Sequence, residues 1–322
     1  MSERASTVPS PHPISVSDLS VVGFGLTVPE CVVVSRSGRV FVSNGDQLAE
    51  VLADGTVRCF GHGLGHANGI AIVLDGRIVA TDFSPRGGLR LVDPDTGEVE
   101  DLQLTIDGRP LAYTNYPVVD SHGSIWVSCS TRDDHMRSLV AGLDDGYIAR
   151  VDPGGAVVAA DGVHYANGLA LDADEAYLYC CRTSLGDVVR FRVAPDRSLG
   201  PPERYGPALG HRRADEFTQA AADAAFADPG ALRRWGLTDG CGFDQAGNLW
   251  VTVVSCGRVC AITPDQKLVT VIDDRHGTTL QLPSNVSWGG PDLRDLYIGS
   301  VGLPHVLKLT SPVPGLPLAH QR

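Results

Sequence analysis

Six segments of this 322-residue chain share one shape: a small residue or proline, a polar residue, an apolar run, a turn, then a second short apolar run. They are PECVVVSRSGRVFVS (29–43), ANGIAIVLDGRIVAT (67–81), TNYPVVDSHGSIWVS (114–128), ANGLALDADEAYLYC (166–180), TDGCGFDQAGNLWVT (238–252) and PSNVSWGGPDLRDLYIG (283–299). Each reads as two strands joined by a turn rich in Gly and Asp, the usual hairpin signal. Another strand pair follows, as in AEVLADGTVRCF (49–60), GYIARVDPGGAVVAA (146–160) and GRVCAITPDQKLVTVI (257–272). The polar residues that open the hairpins stand at 30, 68, 115, 167, 239 and 284, at spacings of 38, 47, 52, 72 and 45. Six four-stranded repeats of about fifty residues predict an all-β fold, a six-bladed β-propeller.

The ends of the chain fit a closed ring. The sixth repeat has its hairpin and a third strand, HVLKLT at 305–310, while ISVSDLSVVGF at 14–24 has no partner of its own. Pairing the two completes the last blade and removes an open sheet edge. The expected organisation is a flexible N-terminus (1–13), the propeller (14–310) and a C-terminal tail (311–322). The 72-residue spacing has a visible cause, because residues 208–236 are alanine-rich and nearly free of β-branched residues. They predict a helical insertion between blades four and five. Its Phe217, Phe226, Leu232 and Trp235 need something to cover, either the propeller rim or the channel mouth, where they would form a lid.

Charge and cysteine usage narrow the function. The formal net charge is −12, which disfavours nucleic acid and anionic membrane as partners. No segment approaches the ~20 apolar residues of a membrane span, and MSERASTVPSPHP has no signal-peptide core. The eight cysteines lie mostly inside strand-like runs without a Cys-x-x-Cys, as small hydrophobes do. These features predict a reduced, cytoplasmic protein, a monomer or weak dimer acting on a small molecule.

In a propeller the first strand of each blade lines the central channel, so the residue opening it sits at one mouth. Around the ring these are Glu30, Asn68, Asn115, Asn167, Asp239 and Ser284, with Asn285 beside it. Turn preference explains any one of the Asn, Asp or Ser residues but not Glu30, which leads straight into a strand. Two carboxylates and several amide oxygens converging on an axis are hard donors suited to one divalent cation, calcium foremost, with magnesium, manganese or zinc as alternatives. His66 and His164 lie just ahead of ring asparagines, within reach of the mouth as acid or base.

From about 24 to 310 the chain resembles the gluconolactonase, senescence-marker-protein (regucalcin) and luciferin-regenerating-enzyme family. The most specific match is DGCGFDQAGNLWVTVVSCGRVCAITPDQ at 239–266, close to the family's Asp-Gly-x-x-x-Asp-x-x-Gly-x-(Leu/Val)-Trp-Val motif. Asn-Gly-Leu at 167–169, PSNVSWGGPDLRDLYIGS at 283–300 and the Pro-Glu of Glu30 match as well. The resemblance implies Glu30, Asn167 and Asp239 as metal ligands, Asn115 facing substrate, and Asp239 as general base of a lactonase. Their places in the ring or just ahead of it add Asn68, His66, His164 and Tyr113 as residues expected to border the substrate. The family's Arg-x-Asn-Asp-Gly is here Tyr113-Thr114-Asn115-Tyr116-Pro117, so the arginine that grips sugar hydroxyls is replaced by Tyr113. The expected function is metal-dependent hydrolysis of a small, non-sugar cyclic ester. The alternatives are a metal-dependent isomerase or cyclase of a biosynthetic intermediate, and a non-enzymatic binding module.

Overall fold

The repeats fold into six antiparallel four-stranded sheets, the blades, and in the first five the strand order follows the chain. The computed structural model describes residues 10–322, so the expected flexible N-terminus lies outside the described residues over 1–9. The innermost strands are Val32–Val34, Ala67–Ile72, Thr114–Val119, Ala166–Leu171, Thr238–Phe243 and Pro283–Gly289. The sixth blade is completed from the other end of the chain. Strand Ser20–Val22 pairs antiparallel with Val306–Thr310, placing Val22 opposite Val306.

The core is cyclic, because each blade buries its faces against two neighbours. Six apolar clusters occupy the six blade interfaces, among them Phe41, Leu48 and Phe60 of the first blade against Ile70 and Ile78 of the second. Tyr297 and Val306 of the sixth blade pack on Val32, Val40 and Val42 of the first, which closes the ring. The innermost strands are covered on both faces, which explains their continuous apolar runs. Outer strands such as Val99–Asp101 are exposed throughout.

The family-like motif has a structural half. The Asp244 carboxylate accepts the Trp250 indole N–H at 2.8 Å and the backbone N–H groups of Ala246 and Asn248, both at 2.9 Å. Asp120 holds Trp126 in the same way at 3.0 Å. These aspartates knit the hairpin turns and are remote from the ring in role.

Among the described residues three α-helices interrupt the strands: α1 (His135–Ala141), α2 (Gln219–Ala227) and α3 (Pro229–Trp235). The last two form the expected insertion. The reading did not anticipate a small hairpin, Thr105–Ile106 with Arg109–Pro110, although its Asp107-Gly108 turn, both residues at positive φ, is a strong hairpin signal. At the far mouth the tail crosses the channel. Gly315 bridges to Asp244, and the His320 and Gln321 side chains meet the Val34 carbonyl at 2.9 Å. The tail roofs an apolar cavity of about 80 Å³ lined by inner-strand residues such as Ile70, Leu169 and Val286. Among the described residues no helix is long and apolar enough to cross a membrane.

The latch carries a testable consequence. Removing residues 1–24 takes away the partner of Val306–Thr310, along with the Ile14, Val16 and Leu19 side chains that cover the blade 5–6 interface. The truncated protein is expected to melt at least several degrees lower, since ~1 kcal/mol shifts a domain of this size by a few degrees, and to associate through the bared edge. A monomer by light scattering with an unchanged Tm would place the closure elsewhere.

Candidate active site

Five of the six innermost strands carry a β-bulge, and each bulge falls on the ring residue. The pairing registers break between Ala67 and Ile70, Thr114 and Pro117, Ala166 and Leu169, Thr238 and Cys241, and Pro283 and Asn285. A bulge leaves one residue unpaired and re-aims its side chain, and here those residues are Asn68, Asn115, Asn167, Asp239 and Ser284. Hydroxyls of the second strands take up the displaced amides. Gly69 N–H donates to Thr81 at 2.9 Å and Tyr116 N–H to Ser128 at 3.0 Å, and in the first blade, which has no bulge, Cys31 N–H donates to Ser43 at 2.9 Å. Gly69, Gly168 and Gly240 follow ring residues directly, and a Cβ on any of them would strike the main chain of the next blade at Asn115, Asp239 or Ser284. The Asn-Gly and Asp-Gly pairs are therefore packing requirements of a narrow ring.

Within the ring the amides are committed. Asn68 Nδ2 donates to Asn115 Oδ1 at 3.0 Å, and Asn115 Nδ2 donates to Ser130 Oγ at 3.0 Å. Asn167 Nδ2 donates to Thr183 Oγ1 at 3.1 Å, while its Oδ1 is buried without a partner. An orphaned buried carbonyl oxygen is costly. Beside it stand the two carboxylates. Burial first, and then the charge of Glu30, hold the Asp239 carboxyl well above the usual range, against a lowering contribution from Asn167. Burial likewise pushes Glu30 up to about 7, opposed by a hydrogen bond from Asn68. Two mutually repelling acids and an unpartnered amide oxygen form a donor set that fits a cation.

Asn68, Asn115, Asn167 and Asp239 are all buried, at 3–7 % exposure, whereas Glu30 keeps partial exposure. Asn115 is fully engaged by Asn68 and Ser130, so it positions the ring more than it presents a free group. Tyr113 is buried with its ring 5.5 Å from those of Phe83 and His135. His66 is exposed and edge-on to Phe83 at 6.1 Å. Half-buried His164 is tied through Nδ1 to the Gly142 carbonyl at 2.9 Å, at the end of α1.

Three residues escaped the sequence reading. Tyr116 spans the channel to blade six, where its hydroxyl accepts Asn285 Nδ2 at 2.7 Å, and it floors the ring above the apolar cavity. Phe83 supplies the centre of the aromatic cluster. Tyr165 is buried, and burial, followed by the charges of Asp239 and Glu30, pushes its phenol above the usual tyrosine range. A signal for it existed, because Tyr113 and Tyr165 both stand two residues ahead of a ring asparagine.

Fold and ring together define a six-bladed propeller with an oxygen-lined mouth. The family model described as the SMP-30/Gluconolactonase/LRE-like region matches residues 46–302, and the chain belongs to that family. It is 29 % identical over 244 residues to 6-deoxy-6-sulfogluconolactonase of Pseudomonas putida, covering 75 % of this chain and 68 % of that protein. A solved gluconolactonase of Xanthomonas campestris superposes with a TM-score of 0.70 at 21 % identity, covering 95 % of this chain and 97 % of the other. The calcium-binding protein regucalcin of Agrobacterium tumefaciens superposes at 0.67 and 18 % identity, covering 92 % and 97 %. At such identities the two structures speak for the fold.

Proposed function

We propose that this chain hydrolyses a small cyclic ester using one divalent cation held by Glu30, Asn167 and Asp239. The observation that carries this reading is the partnerless Asn167 Oδ1 beside two mutually repelling carboxylates, buried Asp239 and half-buried Glu30. Such hard oxygen donors favour calcium or magnesium, and zinc or manganese also accept them. Calcium is the first choice, in keeping with the calcium-binding protein that shares the fold. The lactonase names of the relatives support the reaction class.

When bound, the cation would supply Lewis acidity toward a carbonyl oxygen and offset the two negative charges. The chain's own residues do the rest. Asp239 accepts a proton from water as the water oxygen bonds to the acyl carbon. The acyl carbon–ring oxygen bond then breaks and the departing oxygen takes a proton, giving the open-chain hydroxy acid. Asn68 and Asn115 hold the ring's register through their mutual hydrogen bond. Tyr113, Phe83 and His135 present an aromatic wall where the family's third-blade motif has a sugar-gripping arginine. That wall favours lactones with flat or apolar bodies over polyhydroxylated ones.

Chelated protein, restored with calcium, magnesium, manganese or zinc in turn, is to be assayed on gluconolactone, δ-valerolactone and dihydrocoumarin. The expected result is turnover that tracks one bound cation per chain, with dihydrocoumarin preferred over gluconolactone. No hydrolysis of any lactone with any of the four cations would overturn the reading.

A further inference from the structure

Three arginines crowd one carboxylate at the rim of the fifth blade. Arg258 opens the strand Arg258–Ile262 and lies directly opposite Asp273, which ends the strand Leu268–Asp273. Arg275 follows two residues later, and Arg233 reaches in from the last turn of α3. Their nearest approaches to Asp273 are 3.4 Å from Arg233 Nη2, 3.5 Å from Arg258 Nε and 2.9 Å from Arg275 Nε. Elsewhere the chain pairs an arginine with a carboxylate as a two-pronged fork, as Arg182 does with Asp187 at 2.8 and 2.7 Å. Here the two longer approaches exceed a good N–H···O distance, and Arg258 Nε is buried without a hydrogen-bond partner.

The charges in this cluster do not balance. Asp273 answers one of three guanidiniums. The adjacent Asp274 carboxylate is turned into its own loop, where it accepts the backbone N–H groups of His276, Gly277, Thr279 and Leu280. In a chain of net charge −12 such a positive island is out of place, and its members repel one another. The Arg233 and Arg258 side chains are only 25 % and 29 % exposed, so they form a fixed base, whereas that of Arg275 is 81 % exposed and free to fold over.

We propose that Arg233, Arg258 and Arg275 form an oxyanion site that takes a phosphate-type dianion, either free phosphate or the phosphate of a monoester. A dianion matches the two uncompensated charges, and its oxygens accept the planar N–H forks that a single carboxylate leaves unused. Bound there, it links α3 of the insertion to the outer strands of blade five. The site shares no residue with the ring and is independent of the hydrolytic reading.

Calorimetric titration of the full chain at constant ionic strength, first with inorganic phosphate and then with phenyl phosphate, tests the assignment. Saturable binding of one anion per chain is expected. Arg258→Gln is expected to weaken it at least about tenfold, the worth of one charge-assisted hydrogen bond. Arg275→Gln is expected to weaken it about two- to fivefold, the scale of an exposed ion pair. Because that side chain is exposed, Tm without anion is expected to stay unchanged, which separates lost binding from a folding defect. Equal affinity for the two probes identifies free phosphate as the ligand, and tighter binding of phenyl phosphate identifies a monoester. No saturable binding of either probe, or an affinity that neither variant lowers, would overturn the proposal.

Discussion

Asp239→Ala is expected to lower lactone turnover by at least about a thousandfold, within the range for loss of a general base, and to lose the stoichiometric cation while keeping the propeller. The fold survives because Asp239 belongs to none of the apolar clusters between blades; its neighbours Gly240 and Cys241 carry the packing. In chelator the variant is expected to be at least as stable as wild type. Burial and Glu30 disfavour the ionised form of Asp239 in the fold, so deleting the carboxylate relieves a cost rather than a support. The sign with pH follows from the same raised acids. The folded chain holds its protons more tightly than the unfolded chain, so the cation-free fold is most stable below the unfolded value. It loses that contribution as pH rises from the ordinary 4.5 of Glu30 to about 7. Melting in chelator is expected to show wild-type Tm falling between pH 5 and pH 8, a smaller fall in Asp239→Ala, and a Tm gain on adding calcium only in wild type. An active Asp239→Ala protein that retains one cation would remove Asp239 from the site.

The propeller was legible because its signal is repeated six times and each repeat is local: a polar opener, an apolar run, a turn. The latch was legible by elimination, since Ser20–Val22 and Val306–Thr310 each lacked a partner in sequence. Six polar openers also marked the ring. Their division of labour was hidden, because it depends on bulges and on which way each amide turns. Asn115 and Asn167 look alike in sequence, yet Asn115 Oδ1 is taken by Asn68 while Asn167 Oδ1 is free. Tyr116 looked like a mere loss of polarity, and only the channel's width lets its hydroxyl reach Asn285 on the opposite blade. The second-strand hydroxyls at Thr81 and Ser128 were in plain view as the ends of IVAT and IWVS. Their purpose appears only once the bulges create amides for them to hold. Of the four apolar side chains in the insertion that called for cover, Trp235 is buried and Phe226 is 46 % exposed, so one of them covers nothing.

Replacing residues 211–235 by a short Gly-Ser linker is expected to cut kcat/KM about a hundredfold, the scale of a misplaced reactive group, while the ring keeps its cation. The excision is geometrically mild. His211 N–H donates to the Arg234 carbonyl at 2.8 Å, so the two ends of the insertion already meet. What it removes is the cover over the loops beside the ring of polar openers. Ala222, Ala225 and Trp235 pack on Leu139 and Val140 of α1, on Tyr165, and on Leu237 two residues ahead of Asp239, with Phe83 alongside. Arg212 clasps this assembly. Its guanidinium lies 3.9 Å from the Phe217 ring and 4.2 Å from the Trp235 ring, and it donates to the Leu139 carbonyl at 2.7 Å and to that of Val140. Burial draws this arginine down to about 10, a cost that the ring stacking and the carbonyls at the end of α1 offset. Without the cover, Tyr165 loses the packing on its ring and Phe83 gains exposure. Water then reaches the aromatic wall, and preference for flat lactones over gluconolactone is expected to narrow. Kinetics and selectivity identical to wild type would assign the insertion to packing on the rim and leave the ring alone responsible for the chemistry.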